Sequence, residues 1–220
     1  MNGRYTLCTI KASLVILLLA LPNLLAAEII IDDFSQGIRP GWREKSFAGH
    51  TEYTPAIEDG IHCLKATSSA AASALIYEIK FNVEAYPLLT WKWKIKNTIP
   101  SGDARRKEGD DYAARVYVIF PSRFFWKTKA INYIWANKLP KESAIPNPFA
   151  ENAVMIAVQS GTAETGIWKE EKRSILEDYR KYFGGDVPEA GGVAIMTDTD
   201  NTGESATAWY GPITLQPSGR

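Results

Sequence analysis

Leu89-Thr-Trp-Lys-Trp-Lys-Ile-Lys96 alternates without a break: Leu89, Trp91, Trp93 and Ile95 fall on one side, Thr90, Lys92, Lys94 and Lys96 on the other. A period of two belongs to an extended strand with one buried face, because successive side chains leave a pleated backbone in opposite directions. On a helix the same residues would be scattered around the circumference. The stretch makes the chain a β protein and places two tryptophans in its core. Tyr112 to Phe120 obeys the same rule, with Tyr112, Ala114, Val116, Val118 and Phe120 expected inward and Arg115 and Tyr117 outward.

Shorter runs rich in Val, Ile, Tyr, Trp and Thr recur on both sides of these two. They cover Glu28 to Phe34, Arg43 to Phe47, Ile61 to Thr67, Ala74 to Phe81, Ala130 to Ala136, Val154 to Ser160, Gly192 to Asp198 and Ala206 to Leu215. Regularly spaced short strands with turn formers between them point to a sandwich or barrel rather than an α/β fold. One helix is expected from Lys169 to Phe183, where Ile175, Leu176, Tyr179, Tyr182 and Phe183 form an amphipathic stripe. Gly184-Gly185 ends it and Pro188 prevents its continuation. Two polar segments, Asn97 to Asp111 and Asn137 to Asn152, exceed ordinary loop length and are candidate walls of a site.

At the N-terminus, Arg4 and Lys11 precede an apolar run from Ala12 to Ala27, broken by Ser13, Pro22 and Asn23. That is the anatomy of a secretory signal peptide, too short before Pro22 to span a bilayer. Cleavage is expected after Ala26 or Ala27, leaving a periplasmic or secreted chain from about Glu28 with no transmembrane segment. The balance of 25 basic and 25 acidic residues then becomes 23 against 25, since residues 1–27 carry two basic and no acidic residues. A slightly acidic chain has no global field for nucleic acid. Cys8 is lost with the leader, so Cys63 stands alone and no internal disulfide forms.

Candidate site residues come from two places. If the strands carrying Lys92, Lys94, Arg115 and Tyr117 are neighbours, their outward faces make a basic and aromatic surface. With Gln159 it would suit a glycan or an anionic polysaccharide, whose carboxylate or sulfate groups take charge-assisted bonds. An ordinary solvated face carries the same residues, and Asp110 or Asp111 would then be Arg115's partner. Near the C-terminus, Asp198-Thr-Asp-Asn-Thr-Gly203 is either a hairpin turn or a hard-cation loop. In the second case Asp198 and Asp200, joined by Asp32, would hold calcium; otherwise no cofactor is implied. Among the seven tryptophans, Trp42, Trp126 and Trp168 are the ones open to a sugar-platform role, although burial is the commoner fate. The sequence holds no nucleophile elbow, zinc motif or phosphate-cradling glycine loop.

Leu89-Thr-Trp-Lys-Trp-Lys-Ile95, Gly109-Asp-Asp-Tyr-Ala-Ala-Arg-Val-Tyr-Val-Ile-Phe120, Tyr133-Ile-Trp-Ala136, Glu171-Lys-Arg-Ser-Ile-Leu-Glu-Asp-Tyr179, Phe183-Gly184 and Ile195-Met-Thr-Asp-Thr-Asp-Asn-Thr-Gly203 run in order along the chain. Together they resemble the bacterial family of domain of unknown function 3047, which implies an exported protein without an assigned activity. More loosely, Asp32-Asp33-Phe34 and the closing aromatic strand look like jelly-roll carbohydrate-binding modules. The expectation is a signal peptide over 1–27 and, over 28–220, one jelly-roll-like antiparallel β-sandwich. It would bind a glycan or other polar ligand without catalysis. A lyase-like polysaccharide enzyme using Arg115, Tyr117, Lys94, Gln159 and Tyr210 is the alternative, and a structural envelope protein is the third reading.

The leader has a direct check. Protein recovered from the envelope fraction should begin near Glu28 by mass spectrometry; an intact Met1 in membrane-embedded material would contradict export and cleavage.

Overall fold

The alternating tryptophan strand lies inside one of two sheets that face each other. The structure, a computed structural model, describes residues 27–218, so the expected leader up to Ala26 lies outside the described residues. In chain order the strands are β1 (Ile29–Asp32), β2 (Trp42–Ala48), β3 (Glu52–Glu58), β4 (Ile61–Ser69), β5 (Ala72–Phe81), β6 (Leu88–Ile95) and β7 (Tyr112–Phe120). They continue with β8 (Lys129–Ala136), β9 (Ala144–Pro146), β10 (Ala153–Ser160), β11 (Lys169–Ser174), β12 (Ala190–Asp198) and β13 (Ser205–Gln216). A single described helix, α1 (Ile175–Phe183), lies between β11 and β12.

The first sheet has the order β11-β6-β13-β4-β3, with β1 also pairing β13. The second runs β2-β5-β12-β7-β8-β10-β9. All pairs are antiparallel except β8 with β10. A parallel pair cannot be joined by a hairpin and needs a long crossover. The polar Asn137–Asn152 segment is that crossover, and it carries β9 on its way.

The core forms where the two alternating patterns meet. Trp91 stacks on Tyr133 of the opposite sheet with centroids 5.1 Å apart and meets Trp93 edge-on at 5.4 Å; Trp93 lies 5.8 Å from Trp135. All four rings are buried. Burying such rings contributes more than their area alone, because offset and edge-on pairs add electrostatic complementarity. Cys63 is buried in β4, where its thiol faces the Ala56 carbonyl at 3.5 Å. Burial pushes that thiol up to about 11, so it is inert.

The expected helix begins six residues late. Lys169-Glu-Glu-Lys-Arg173 contains no apolar residue and so has no stripe to bury on a helix. It instead pairs as β11 with the edge of β6. Ser174 then caps α1, its Oγ accepting the Glu177 amide at 3.2 Å, and Gly184 closes it at φ +65°. Asp178 is buried on α1, where it accepts Tyr133 Oη at 2.9 Å and Arg173 Nη2 at 3.0 Å, pinning helix to sheet. Two strands had no strong sequence signal. β3 is mostly exposed and carries Pro55, which suits an edge, and β9 has three residues.

Candidate functional site

Tyr112 departs from the alternation and, in doing so, comes to lie under Arg115, which lines a cleft. Between β12 and β7 the register runs Met196 with Arg115, then Asp198 with Tyr112, so three steps on β7 oppose two on β12. That bulge turns both Ala113 and Ala114 into the core and leaves Tyr112 on the same outer face as Arg115. The Arg115 guanidinium lies 4.2 Å over the Tyr112 ring. Tyr112 was expected inward; the extra residue in the strand is the reason it is not.

Arg115 is buried and fully engaged. Its Nε donates to Asp198 Oδ1 at 2.8 Å, and its Nη2 donates to Asp198 Oδ2 and to the Asp110 backbone carbonyl. Nη1 lies 3.7 Å from the Asp110 carboxylate. Burial, with the nearby Asp111 and Asp110 charges, pushes the Asp198 carboxyl up to about 7, while Arg115 pulls the other way. Beneath them Thr197 Oγ1 donates to the Ala113 carbonyl at 2.7 Å, and Tyr210 Oη donates to the Met196 carbonyl at 2.6 Å.

Around this floor lies a cleft of about 430 Å³ on the outer face of the second sheet. Ala72 of β5, Met196 and Asp198 of β12, Arg115 and Tyr117 of β7 and Asn132 of β8 line its base. Phe47 forms one rim, and Asn147, Phe149 and Ala150 of the crossover form the other. Both phenylalanines are 59 % exposed. The two long polar segments do wall the site: Ala104 and Leu139 anchor them on Tyr112, Ile134 and Ala136 of the outer sheet face. Asp110 brings the first segment to the cleft, and Asn147 Nδ2 donates to Asp110 Oδ2 at 3.2 Å to tie in the second. Two side-chain oxygens on this lining are buried with no partner, Asp110 Oδ1 and Asn132 Oδ1.

The structure brings Arg115, Tyr117, Asp198 and Asp200 together here and separates Lys92, Lys94, Gln159 and Asp32 from them. Lys92 and Lys94 belong to β6 in the opposite sheet, so they lie on the far side of the sandwich. Lys94 is buried between Glu58 and Asp59, with Nζ 2.8 Å from Asp59 Oδ2, and Lys92 pairs with Glu170 at 3.3 Å. Gln159 donates to Glu171 at 2.7 Å and does not line the cleft. Asp32 is a structural cap, accepting the amides of Phe34 and Arg39 and Trp42 Nε1 at 2.8 Å. Its place beside Asp198 and Asp200 is taken by Asp111, and the carboxylates of these three approach within 4.8 Å of one another. Asp111 accepts the amides of Asn201 and Thr202, and Gly203 at φ +70° closes a turn to the Thr199 carbonyl at 3.0 Å.

Phe47 and Phe149 were missed, each being a lone aromatic in a polar or exposed segment. Trp42 packs against the core and Trp126 stands in another loop.

Removing Arg115 should cost stability with no ligand present. Arg115→Met leaves Asp198 buried without its counter-charge and should lower unfolding free energy by about 3–5 kcal/mol in urea melts. Arg115→Met with Asp198→Asn should recover part of this. A loss within about 0.5 kcal/mol, as for a solvated arginine, would contradict the buried pair.

Among solved structures, the chain is similar to the family 30 carbohydrate-binding module of a cellulosomal cellulase from Clostridium thermocellum. That match has 10% identity over 89% of this chain and 100% of that one, with a TM-score of 0.48. It is also similar to a family 11 carbohydrate-binding module from the same organism, solved with a β-1,3-1,4-mixed-linked tetrasaccharide, at 11% identity over 87% and 96%, TM-score 0.43. The cleaved K2 adhesin domain of Lys-gingipain matches at 9% identity over 86% and 99%, TM-score 0.44. At such distances these likenesses carry no inference about a ligand. No curated protein matches the chain. Residues 40–214, which span both sheets and the cleft, match the model of the family described as protein of unknown function (DUF3047), and the chain belongs to that family.

Proposed function

We propose that this is an exported β-sandwich protein that holds a neutral, hydroxyl-rich ligand, most simply a glycan, in the cleft on the second sheet. The observation that carries the reading is the cleft's combination of two exposed aromatic rims with buried, unpartnered acceptors on its floor. A sugar ring has apolar faces that pack on aromatic rings and hydroxyl edges that donate to carboxylate or amide oxygens. The volume suits a small-molecule site. A flat, solvated face would have supported the purely structural role, and this face is neither.

An anionic polysaccharide has less support than a neutral one. The cations that favoured it are each consumed: Arg115 by Asp198 and Asp110, Lys94 by Glu58 and Asp59, Lys92 by Glu170. The floor has acceptors to offer and its one cation is consumed; Lys45 and Lys107 lie at the rims, 5.0 Å and 5.4 Å from the Phe47 and Phe149 rings. A lyase needs a carboxylate neutraliser beside a base, and those residues are not assembled. Lys94 and Gln159 lie elsewhere, Tyr210 is interior, and burial pushes the Tyr117 hydroxyl up, which opposes a basic role. Export rests on the leader's anatomy; among the described residues no helix is long and apolar enough to cross a membrane.

A glycan array probed with the chain from Glu28 tests this. Neutral oligosaccharides should be retained, with no unsaturated product accumulating by ultraviolet absorbance. Phe149→Ala and Asn132→Ala should each weaken binding five- to tenfold, or about 1 kcal/mol, at nearly unchanged melting temperature. Binding of acidic glycans alone, or affinity indifferent to both changes, would refute it.

For calcium the expected outcome is a small effect. Asp111 and Asp198 already accept from backbone amides and Arg115, which leaves few free lone pairs for an ion wanting six to eight oxygens. Melting in millimolar calcium and in chelator should therefore nearly coincide. A bound ion at a micromolar site would add about 4 kcal/mol, and a rise of many degrees that disappears in Asp200→Ala would establish a cation site.

A further inference from the structure

The connection between β7 and β8 presents Phe124, Phe125 and Trp126 to solvent in succession, 45 %, 82 % and 59 % exposed. Their rings pack on one another and not into the core: Phe124 stacks on Trp126 at 5.1 Å, and Phe125 meets the same indole edge-on at 5.2 Å. The loop has a defined shape. A short 3₁₀ turn spans Phe125–Lys127, the Lys127 and Thr128 amides donate back to the Phe124 and Phe125 carbonyls at 2.8 and 3.1 Å, and Asn152 Nδ2 donates to the Trp126 carbonyl at 2.6 Å. Three adjacent aromatic side chains in water are unfavourable, and the turn's backbone bonds do not need them.

The charges on the tip's own segment are of one sign. Arg123 and Lys127 flank it, with the guanidinium 6.0 Å and the ammonium 5.6 Å from the Phe124 ring. Lys129 follows but turns to α1, its ammonium donating to Tyr179 Oη at 3.1 Å and lying 5.0 Å over the Tyr179 and Phe183 rings. From Tyr112 to Lys141 the sequence contains no acidic residue. Glu151, on the adjoining crossover, is the acidic side chain nearest in sequence to Asn152, which holds the loop. A sugar platform needs an open ring face. Here Phe124 and Trp126 cover each other. A projecting aromatic tip with a basic collar matches a lipid surface better, since aromatic rings settle at headgroup depth while Lys and Arg reach the phosphates.

We propose that this loop docks the protein on an anionic phospholipid surface, Phe125 and Trp126 entering the interface and Arg123 and Lys127 meeting phosphate. The docking surface is separate from the cleft and does not depend on what the cleft holds. The chain from Glu28, which carries every strand and the core between the sheets, avoids interference from the apolar leader.

Sedimentation with vesicles of phosphatidylcholine, with and without phosphatidylglycerol, tests the proposal. Binding should require phosphatidylglycerol and weaken in high salt. Phe125→Ser with Trp126→Ser, and separately Arg123→Glu with Lys127→Glu, should each lower partitioning about tenfold or more. Circular dichroism melts should match the parent, since these side chains are exposed. Lack of retention on phosphatidylglycerol vesicles, or retention unaltered in both variants, would overturn the proposal. So would concentration-dependent self-association lost in the aromatic variant without vesicle binding, which would make the tip a contact between copies.

Discussion

The Arg115 guanidinium cannot shed its charge, so burying it obliges the chain to surround it with acceptors. Asp198 supplies two oxygens from β12, and Asp110 supplies a backbone carbonyl and a carboxylate from the end of the first long segment. Asn147 of the crossover then bonds Asp110, and Asp111 next door caps the turn after β12. Sheet, turn and both walls of the cleft therefore meet at one charge. The same arrangement leaves more carboxylate than one guanidinium can neutralise, so the floor presents acceptors.

Strand periodicity revealed most of this architecture. The strict alternation of Leu89–Lys96 put Trp91 and Trp93 in the core, where they pack on Tyr133 and Trp135. The unusual length of the two polar segments marked them as walls. Alternation tells which way a side chain points but not which sheet its strand joins. Lys92 and Lys94 therefore looked like companions of Arg115 although the whole sandwich separates them. Tyr112 escaped the rule through one inserted residue, which leaves no trace in a hydrophobic pattern. Lys169–Arg173 was read as helix because the stripe following it was real; the absence of apolar residues in those five positions was the available warning.

Other parts of the site were hidden for different reasons. Phe47 and Phe149 come to line one cleft only because β2 and the crossover both border it. Asp110 and Asp111 are adjacent in sequence yet do different jobs, one beside Arg115 and one on the turn. Of the three tryptophans weighed as platforms, Trp42 donates to Asp32 within the fold, and Trp126 belongs to the basic aromatic tip.

The two outer faces of the sandwich make opposite claims on a ligand. One carries lysines already paired with acids; the other carries aromatic rims over unpaired acceptors. Amide chemical-shift mapping by nuclear magnetic resonance, during titration with a neutral oligosaccharide, distinguishes them most directly. The account predicts saturable shifts confined to the Asn132 side-chain amide, Tyr117 and the Phe47 and Phe149 rims. Shifts centred on Lys92 and Lys94, with the cleft silent, would contradict it.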